Sequence, residues 1–377
     1  MKTKFLYIDD ETTDVTTGLI KKLSSCLESF EVVYKRAIPW DLLIDYIKDN
    51  IHSYDGILLD LKLEFDNEDQ EGTIKFYASA LANEIRSLIK RKEIKRDVPI
   101  LLCSTDDNMR KLLDGTGKNE FDASFDKEKL KESDVVYFIA HSNAYKLLSN
   151  ISNLEKLLEI NEENNDLLEE ALLYFYRIPS IHEKAAFLLC EVIEPSGILI
   201  DEELLSVRLG IDKSKCEHEW NRFLNEELKQ IQYTGIYSSA YPRWWMRKLF
   251  QWWNEKTQNT KPLQLLNAEE RVEKIKTLGY PDLIAYSQIP HQNSTKFWYK
   301  CANYLLNNDF TKQLIPVSDG DGLACLPKQY PWQDRELFSF NYIWEEGSKE
   351  VIPFIKKELA TYALQELNTL LEKRAES

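Results

Sequence analysis

Short apolar runs alternate with segments of helical spacing along the first 150 residues of the chain. The runs are too short to be helices and predict strands buried on both faces of a parallel sheet. They cover residues 4–8, 30–34, 57–59, 99–103 and 121–125. Between them, apolar residues recur every three or four positions and predict helices at 18–30, from Pro39, from Gly72 (including Ile74, Phe76 and Tyr77), at 108–113 and at 135–148. This alternation predicts an α/β domain, a doubly wound five-stranded parallel sheet with helices on both faces.

Polar side chains follow four of these predicted strands. Asp9 and Asp10 come after the first strand, Asp60 after the third, Ser104 after the fourth and Lys127 after the fifth. A carboxylate inside a buried strand would be strongly destabilising, so Asp60 is expected where the sheet opens to solvent. The carboxyl ends of parallel strands lie at one edge of a sheet, and ligands bind there. The sequence therefore predicts that the five side chains lie close together.

The first 150 residues resemble a response-regulator receiver domain, which has a flavodoxin-like fold. In that family an acidic pair ends the first strand, as Asp9 and Asp10 do here, and the phosphoacceptor aspartate ends the third, as Asp60 does. A Ser or Thr ends the fourth strand and a lysine ends the fifth, matched by Ser104 and Lys127. The resemblance implies a domain that takes a phosphoryl group from a histidine kinase.

The resemblance also implies a role for each residue. Asp60 would be the nucleophile that forms an aspartyl phosphate. Together with the acidic pair and the main-chain carbonyl of Lys62, it would hold Mg²⁺, a cation that prefers oxygen ligands. Lys127 would balance the negative charge that develops on the phosphoryl group, and Ser104 would hydrogen-bond one of its oxygens.

Several positions depart from the family pattern. Glu128 follows the lysine where a proline is usual, Ser124 replaces an aromatic residue, and Thr105 stands where a smaller residue is common. Because of these departures, the sequence supports phosphoryl-transfer chemistry better than the family's usual conformational switching on phosphorylation. The loop after Asp60 carries extra acids, namely Glu64, Asp66, Glu68, Asp69 and Glu71. We interpret this loop as a solvated insertion, with a second cation site or a partner contact as alternatives.

For residues 151–377, the sequence predicts a mainly α-helical region with a possible winged-helix-like part. Residues 201–229 resemble a helix-turn-helix, with the bend at Gly210. If this motif binds DNA, its second helix, predicted at 214–224, would enter the major groove. Lys213, Lys215 and Arg222 would then face the nucleic acid. Glutamates on the same helix would be repelled by phosphates, so a structural or protein-binding role is favoured over DNA binding.

Aromatic residues are concentrated between Tyr233 and Trp253. We interpret this cluster as part of a core, since large rings bury area efficiently, and a partner-binding surface is the alternative. A final amphipathic helix is predicted at 351–371.

Composition mainly excludes other classes of protein. The formal net charge of −15 disfavours non-specific binding to nucleic acid or to anionic membranes. The N-terminal apolar run is too short for a signal peptide, and no segment has the length of a membrane span. Six cysteines without a C-x-x-C pair fit a reducing cytoplasm better than zinc or disulfides. We find no nucleotide-binding loop or nucleophile elbow and expect no enzyme.

The sequence thus predicts a receiver domain at 1–150 and an output or partner-binding region at 151–377. The main hypothesis is a cytoplasmic two-component phosphoacceptor protein that works through protein contacts. It would be an adaptor to an effector protein, or a phosphate sink that competes with a second receiver. Its layout resembles receivers without DNA-binding regions in phage-defence signalling sets. The alternatives are a DNA-binding transcriptional regulator and a pseudo-receiver scaffold that is not phosphorylated.

Overall fold

The computed structural model describes residues 2–11, 13–66, 73–112, 120–160, 169–257, 261–302, 314–326 and 330–346, together with residues 369 and 372. The chain forms two compact units. Unit 1 comprises Met1–Asn161, Ala171–Leu189 and Thr234–Tyr241, and unit 2 comprises Glu162–Glu170, Cys190–Tyr233 and Pro242–Ser377. The acidic-loop residues 67–72 and most of the predicted helix at 351–371 lie outside the described residues.

Unit 1 contains seven described strands. They are β1 (Thr3–Asp9), β2 (Phe30–Arg36), β3 (Gly56–Leu59), β4 (Lys62–Asp66), β5 (Thr73–Tyr77), β6 (Ile100–Ser104) and β7 (Ala123–Asp126). Five of them form one parallel sheet in the order β2-β1-β3-β6-β7. This is the flavodoxin-like strand order, so the predicted fold class is confirmed.

Five helices pack on the sheet of unit 1, namely α1 (Thr13–Cys26), α2 (Trp40–Asn50), α3 (Ala78–Lys90), α4 (Asp106–Leu112) and α5 (Glu132–Asn150). They are followed along the chain by α6 (Leu154–Leu157), α7 (Glu169–Arg177) and α8 (Ile181–Phe187). The central strand β3 is fully buried because apolar layers pack on both of its faces. Helix α1 starts five residues before the predicted position, and the other predicted helices are found within a few residues, apart from the one at Gly72.

The segment after Asp60 differs from the prediction. In place of a loop that leads into a helix at Gly72, β4 and β5 pair as an antiparallel hairpin, and α3 begins only at Ala78. The side chain of Phe76 packs edge-on against Trp40, with ring centroids 5.2 Å apart. Ile74 and Phe76 alternate with polar residues, which is the spacing of a strand. The helical interpretation was wrong because it grouped these residues with the apolar face of α3.

A buried polar network lies at the amino ends of β6 and β7, opposite the edge where the candidate site residues lie. Arg86 donates to Asp97 at 2.6 Å and to Asp122 at 2.8 Å. Asp122 also accepts hydrogen bonds from the main-chain N–H of Ile100 at 2.7 Å and from the hydroxyl of Tyr145. Burial opposes ionisation of Asp122, but the charge of Arg86 and the hydrogen bond to His182 hold its pKa well below the usual range. The network therefore stabilises the sheet as a set of paired charges.

An Asp122→Asn variant is expected to lower the free energy of unfolding by about 3 kcal/mol, because breaking a buried ion pair leaves an uncompensated charge. The loss stays at the lower end of the usual range because Arg86 keeps Asp97 as a partner. Urea denaturation measures the difference. The control is Glu84→Gln, which breaks the exposed pair with Arg91 and is expected to change stability by less than about 1 kcal/mol. Equal losses in the two variants would contradict the assignment.

His141 is buried in α5, and neither of its ring nitrogens has a hydrogen-bond partner among the described residues. Its ring packs edge-on against Tyr237, with centroids 5.2 Å apart. Burial lowers the pKa of His141, and the negative charge of Asp122 only partly opposes this. The folded state therefore favours the neutral form of this side chain.

This burial predicts a pH dependence of stability. Because the pKa of His141 is lower in the folded than in the unfolded state, the unfolded state binds more protons as the pH falls from about 7 to 5. Stability is therefore expected to decrease over that interval, and His141→Phe is expected to reduce the decrease. Thermal unfolding at several pH values measures it. An identical pH profile in the variant would contradict the prediction.

Unit 2 is mostly helical, with short strand pairs. Its described helices are α9 (Glu202–Leu209), α10 (Glu217–Glu226), α11 (Met246–Thr257), α12 (Ala268–Lys276) and α13 (Phe340–Glu346). Its described strands are β8 (Leu199–Ile200), β9 (Trp244–Trp245), β10 (Phe297–Lys300), β11 (Pro316–Ser318), β12 (Gly322–Leu326) and β13 (Glu336–Ser339). Antiparallel pairs form between β8 and β9, β10 and β11, and β12 and β13.

The aromatic cluster lies largely inside the folded units. Within unit 2, Trp244, Trp252 and Trp253 are buried in one apolar cluster together with Trp220 of α10. Phe250 is only partly buried and packs against the same cluster. These rings thus form a core, the interpretation that the sequence favoured.

The helix-turn-helix-like segment differs in detail from the prediction. Asp201 caps α9 by accepting from the N–H of Leu204, and Gly210 ends the helix with a φ of 76°. A β-carbon at Gly210 would also lie only 2.7 Å from Ala268, so only glycine fits. The predicted helix at 214–224 begins instead at Glu217, after a 3₁₀ turn at Lys213–Lys215.

None of the helices in the described parts of the chain combines the length and the apolar character needed to cross a membrane.

Candidate functional site

The carboxyl edge of the sheet in unit 1 brings the predicted site residues together. The N–H of Asp60 donates to the carbonyl of Ile8 at 3.0 Å, which places Asp60 beside the end of β1. The N–H of Lys127 donates to the carbonyl of Ser104 at 2.9 Å, which places these two residues side by side. Parallel pairing alone produces this arrangement, because all five strands end at the same edge.

Three carboxylates form a compact cluster at this edge. Oxygens of Asp9, Asp10 and Asp60 lie within 4.8 Å of one another. Asp9 and Asp60 are buried, and Asp10 is half-buried. Ligand oxygens on one Mg²⁺ lie at most about 4.2 Å apart, so a small contraction would let all three bind a single ion. The donor set therefore fits Mg²⁺, a cation that prefers carboxylate oxygens.

The main chain of β4 runs beside Asp10. The N–H of Ala78 donates to the carbonyl of Leu61, so the next residue, Lys62, directs its N–H and carbonyl away from β5. Glu64 has the same orientation, and its N–H donates to Asp10 at 3.2 Å. The Lys62 carbonyl thus shares a strand edge with the Glu64 N–H, and its role as a metal ligand stays a prediction.

Lys127 forms ion pairs with the acids that follow β1. Its amine lies 2.6 Å from Asp9 and 3.2 Å from Glu11. Burial of the amine is outweighed by hydrogen bonding to Asp9 and by the charges of Asp9 and Asp60, so the pKa of Lys127 is raised. The lysine is therefore a fixed positive charge within the pocket and occupies an oxygen that a metal ion would use.

Tyr7 lies in the first predicted strand and is a further residue of this site. Its hydroxyl donates to Asp9, and burial raises its pKa far above the usual value. Side chains two residues apart on a strand point to the same face, so this contact could have been expected from the spacing. Tyr7 and the N–H of Glu11, which donates to Asp9 at 3.0 Å, together orient the Asp9 carboxylate.

The carboxylates differ in their pKa values. Burial, together with the charge of Asp9, raises the pKa of Asp60 to about 6. Burial and the neighbouring Asp9 and Asp60 carboxylates raise the pKa of Asp10 to about 6. Burial opposes ionisation of Asp9, but the Glu11 N–H and Lys127 hold its pKa below the usual range. The ionised forms of Asp10 and Asp60 are repelled by neighbouring carboxylates, so a divalent cation would stabilise them.

The hydroxyl of Ser104 is buried, and its oxygen makes no hydrogen bond of ordinary geometry within the described part of the chain. It is still close enough to Asp60 to lower the pKa of that carboxyl. The hydroxyl is thus placed to donate a hydrogen bond to an oxygen of a group attached to the Asp60 carboxylate. Of the departures from the family pattern, Ser124 and Glu128 are exposed, and Thr105 is half-buried.

The three residues of the DNA-binding alternative lie against acidic groups. Lys213 pairs with Glu202 at 3.0 Å. Lys215 and Arg222 pair with neighbouring acids at 2.8 Å and 2.9 Å, and Arg222 also donates to the carbonyl of Gly279. Glu217 and Glu219 occupy the first turn of α10, which is the end that reads bases in helix-turn-helix proteins. This helix therefore lacks a positive face for phosphates.

Comparisons with known proteins add little to this geometry. No family model matches the sequence, and no curated protein matches it either. Solved structures that resemble part of the chain include a sensor protein from Polaromonas sp. JS666, with 14% identity over 38% of this chain and 99% of that chain, and a TM-score of 0.27. A response regulator receiver domain protein from Clostridium thermocellum has 19% identity over 39% and 98%, and a TM-score of 0.27.

A third structure, an adenylate cyclase from Rhodopirellula baltica, has 12% identity over 43% of this chain and 100% of that chain, with a TM-score of 0.27. Likenesses of this strength say nothing about the activity of the chain.

Proposed function

We propose that the protein is a two-component phosphoacceptor that receives a phosphoryl group on Asp60 from a histidine kinase. The observation that carries the proposal is the cluster of Asp9, Asp10 and Asp60 with the amine of Lys127 at the carboxyl edge of the sheet. A carboxylate nucleophile, a set of hard oxygen ligands and a fixed positive charge are the groups that phosphoryl transfer to an aspartate needs.

In the proposed reaction, a carboxylate oxygen of Asp60 attacks phosphorus and the bond between phosphorus and the donor's histidine nitrogen breaks. The imidazole then takes up a proton from solvent. When bound, Mg²⁺ supplies positive charge beside the transferring oxygens. Lys127 balances charge on one phosphoryl oxygen, and the Ser104 hydroxyl donates to another. Tyr7 keeps Asp9 oriented for the metal.

We propose that the protein acts through protein contacts. It would be an adaptor to an effector protein, or a phosphate sink that competes with a second receiver. The ion pairs of Lys213, Lys215 and Arg222 weigh against a DNA-binding regulator. We propose no catalytic turnover beyond the gain and loss of the phosphoryl group. A phage-defence signalling set and a cytoplasmic location belong to this proposal as its biological setting.

The experiment is phosphorylation of the full chain with acetyl phosphate and Mg²⁺, followed by intact mass measurement. We expect one added phosphoryl group that is removed by hydroxylamine, as acyl phosphates are. Borohydride reduction and peptide mapping are expected to place it on Asp60. Chelation of Mg²⁺ is expected to abolish the modification.

Two results would overturn the proposal. Modification at a residue other than Asp60 would show that the cluster is not the acceptor site. No modification with acetyl phosphate, or with a panel of phosphorylated histidine kinases, would favour the pseudo-receiver scaffold.

A further inference from the structure

A cleft in unit 2 has no part in the proposed phosphoryl transfer. It has a volume of about 380 Å³, within the range of small-molecule sites. Four aromatic rings line it, those of Trp245, Phe250, Trp298 and Trp332. Phe250 and Trp298 are stacked, with centroids 6.0 Å apart and an interplanar angle of 13°. The cleft therefore offers flat apolar walls.

One wall of the cleft is fixed by hydrogen bonds. The indole N–H of Trp332 donates to the carbonyl of Glu191 at 2.7 Å, and the carbonyl of Trp332 accepts from the N–H of Ile198 at 3.0 Å. Gly197 permits this approach, because a β-carbon there would lie 1.9 Å from the Trp332 carbonyl oxygen. A wall held in this way loses little conformational freedom when a ligand binds.

Positive charge is concentrated behind and along the cleft. Arg208 lines it, pairs with Asp334 and lies 4.7 Å from the centre of the Trp298 ring. Arg271 does not line it but lies 5.7 Å from the same ring. Arg247 lines it from an exposed position.

Arg271 is fully buried and is bonded only to main-chain carbonyls among the described residues, those of Leu263, Arg208 and Phe297. One of its terminal nitrogens has no hydrogen-bond partner there. Burial and the charge of Arg208 lower its pKa to about 10. Around Trp298, the guanidinium of Arg208 therefore pairs with Asp334, while that of Arg271 contacts only main-chain carbonyls among the described residues. In a chain with a net charge of −15, this local excess of positive charge favours an anion.

We propose that this cleft binds a small molecule that combines a flat aromatic ring with an anionic group. The ring would lie against the Trp and Phe walls, where stacking and dispersion stabilise it. The anionic group would lie toward Arg247 and Arg208, because guanidinium groups bind phosphates and carboxylates through paired hydrogen bonds. The cleft volume fits a nucleoside monophosphate or an aromatic carboxylate, and both carry the required chemistry.

Isothermal titration of the full chain tests the proposal with AMP and GMP as nucleotide probes and with indole-3-acetate as an aromatic carboxylate probe. We expect one of these classes to bind with a stoichiometry of one, and the class that binds identifies the source of the anion. Arg247→Gln is expected to weaken binding about tenfold, which corresponds to the loss of one hydrogen bond to a charged group. Gln264→Trp, which fills the cleft from an exposed lining position, is expected to abolish binding.

Lys248→Gln is the matched control, since this neighbouring cation does not line the cleft and its loss is expected to leave affinity unchanged. The thermal unfolding temperature of each variant checks that the fold is intact. The proposal is wrong if none of the three probes binds at millimolar concentration. It is also wrong if a probe binds equally well to the wild type and to Gln264→Trp. Neither result bears on Asp60, which lies in unit 1.

Discussion

An Asp60→Asn variant is expected to take up no phosphoryl group from acetyl phosphate or from a phosphorylated kinase, with incorporation reduced at least about 100-fold. The amide is nearly the same size as the carboxyl but is a far weaker nucleophile. Incorporation of radiolabelled phosphate and intact mass measure the loss. Asp45→Asn, an exposed aspartate on α2, is the matched control and is expected to keep full incorporation.

Stability separates this loss from simple unfolding. Because burial and the charge of Asp9 raise the pKa of Asp60 to about 6, its ionised form destabilises the folded state. This destabilisation is absent below a pH of about 4 and develops as the pH rises through 6. In chelator at neutral pH, Asp60→Asn is therefore expected to raise the free energy of unfolding by about 1–3 kcal/mol. A variant that kept full incorporation, or that lost it by unfolding, would contradict the assigned role.

A Lys127→Met variant is expected to change two properties in opposite directions. The amine of Lys127 lies 2.6 Å from Asp9, so the lysine and a metal ion compete for the same carboxylate. Removing this charge is expected to tighten Mg²⁺ binding by about tenfold, because a neighbouring unit charge contributes of the order of 1 kcal/mol or more in a partly buried site. Phosphoryl transfer is expected to slow by about 100-fold, since a donor to the developing charge is lost.

Titration with Mg²⁺ followed by incorporation kinetics measures both effects in the same preparation. Lys129→Met is the matched control, because Lys129 is exposed and pairs with Asp106 and Asp126, outside the acidic cluster. It is expected to change neither property. Weaker Mg²⁺ binding in Lys127→Met, or an unchanged transfer rate, would show that the lysine has only a structural role.

The parallel sheet and its edge could be predicted because the signals are local. The apolar runs around Ile57 and Ile100 have the length of buried strands, and each leads into a polar residue, Asp60 or Ser104. Since all parallel strands end at one edge, their order in the sheet is not needed to predict that these residues converge. This is why the carboxylate cluster could be proposed from the sequence.

The errors occurred where two patterns share the same residues. Ile74 and Phe76 satisfy the spacing of a helix when they are read together with α3, and that of a strand when they are paired with β4. Only the pairing with β4 distinguishes the two, and the spacing of residues within one segment does not show which strand it pairs with. In the same way, the helix-turn-helix spacing around Gly210 says nothing of whether Lys213 or Arg222 is paired with an acid.

The sequence by itself determined that this chain begins with a doubly wound sheet and which acids, hydroxyl and amine end its strands, because strand length and polarity are properties of neighbouring residues. Only the tertiary structure decided that Lys127 bonds Asp9, that Tyr7 orients the same carboxylate, and that the side chains of Arg208 and Arg271 both lie against Trp298. Those contacts join residues far apart in the chain, and their geometry depends on how the packed elements bring the side chains together.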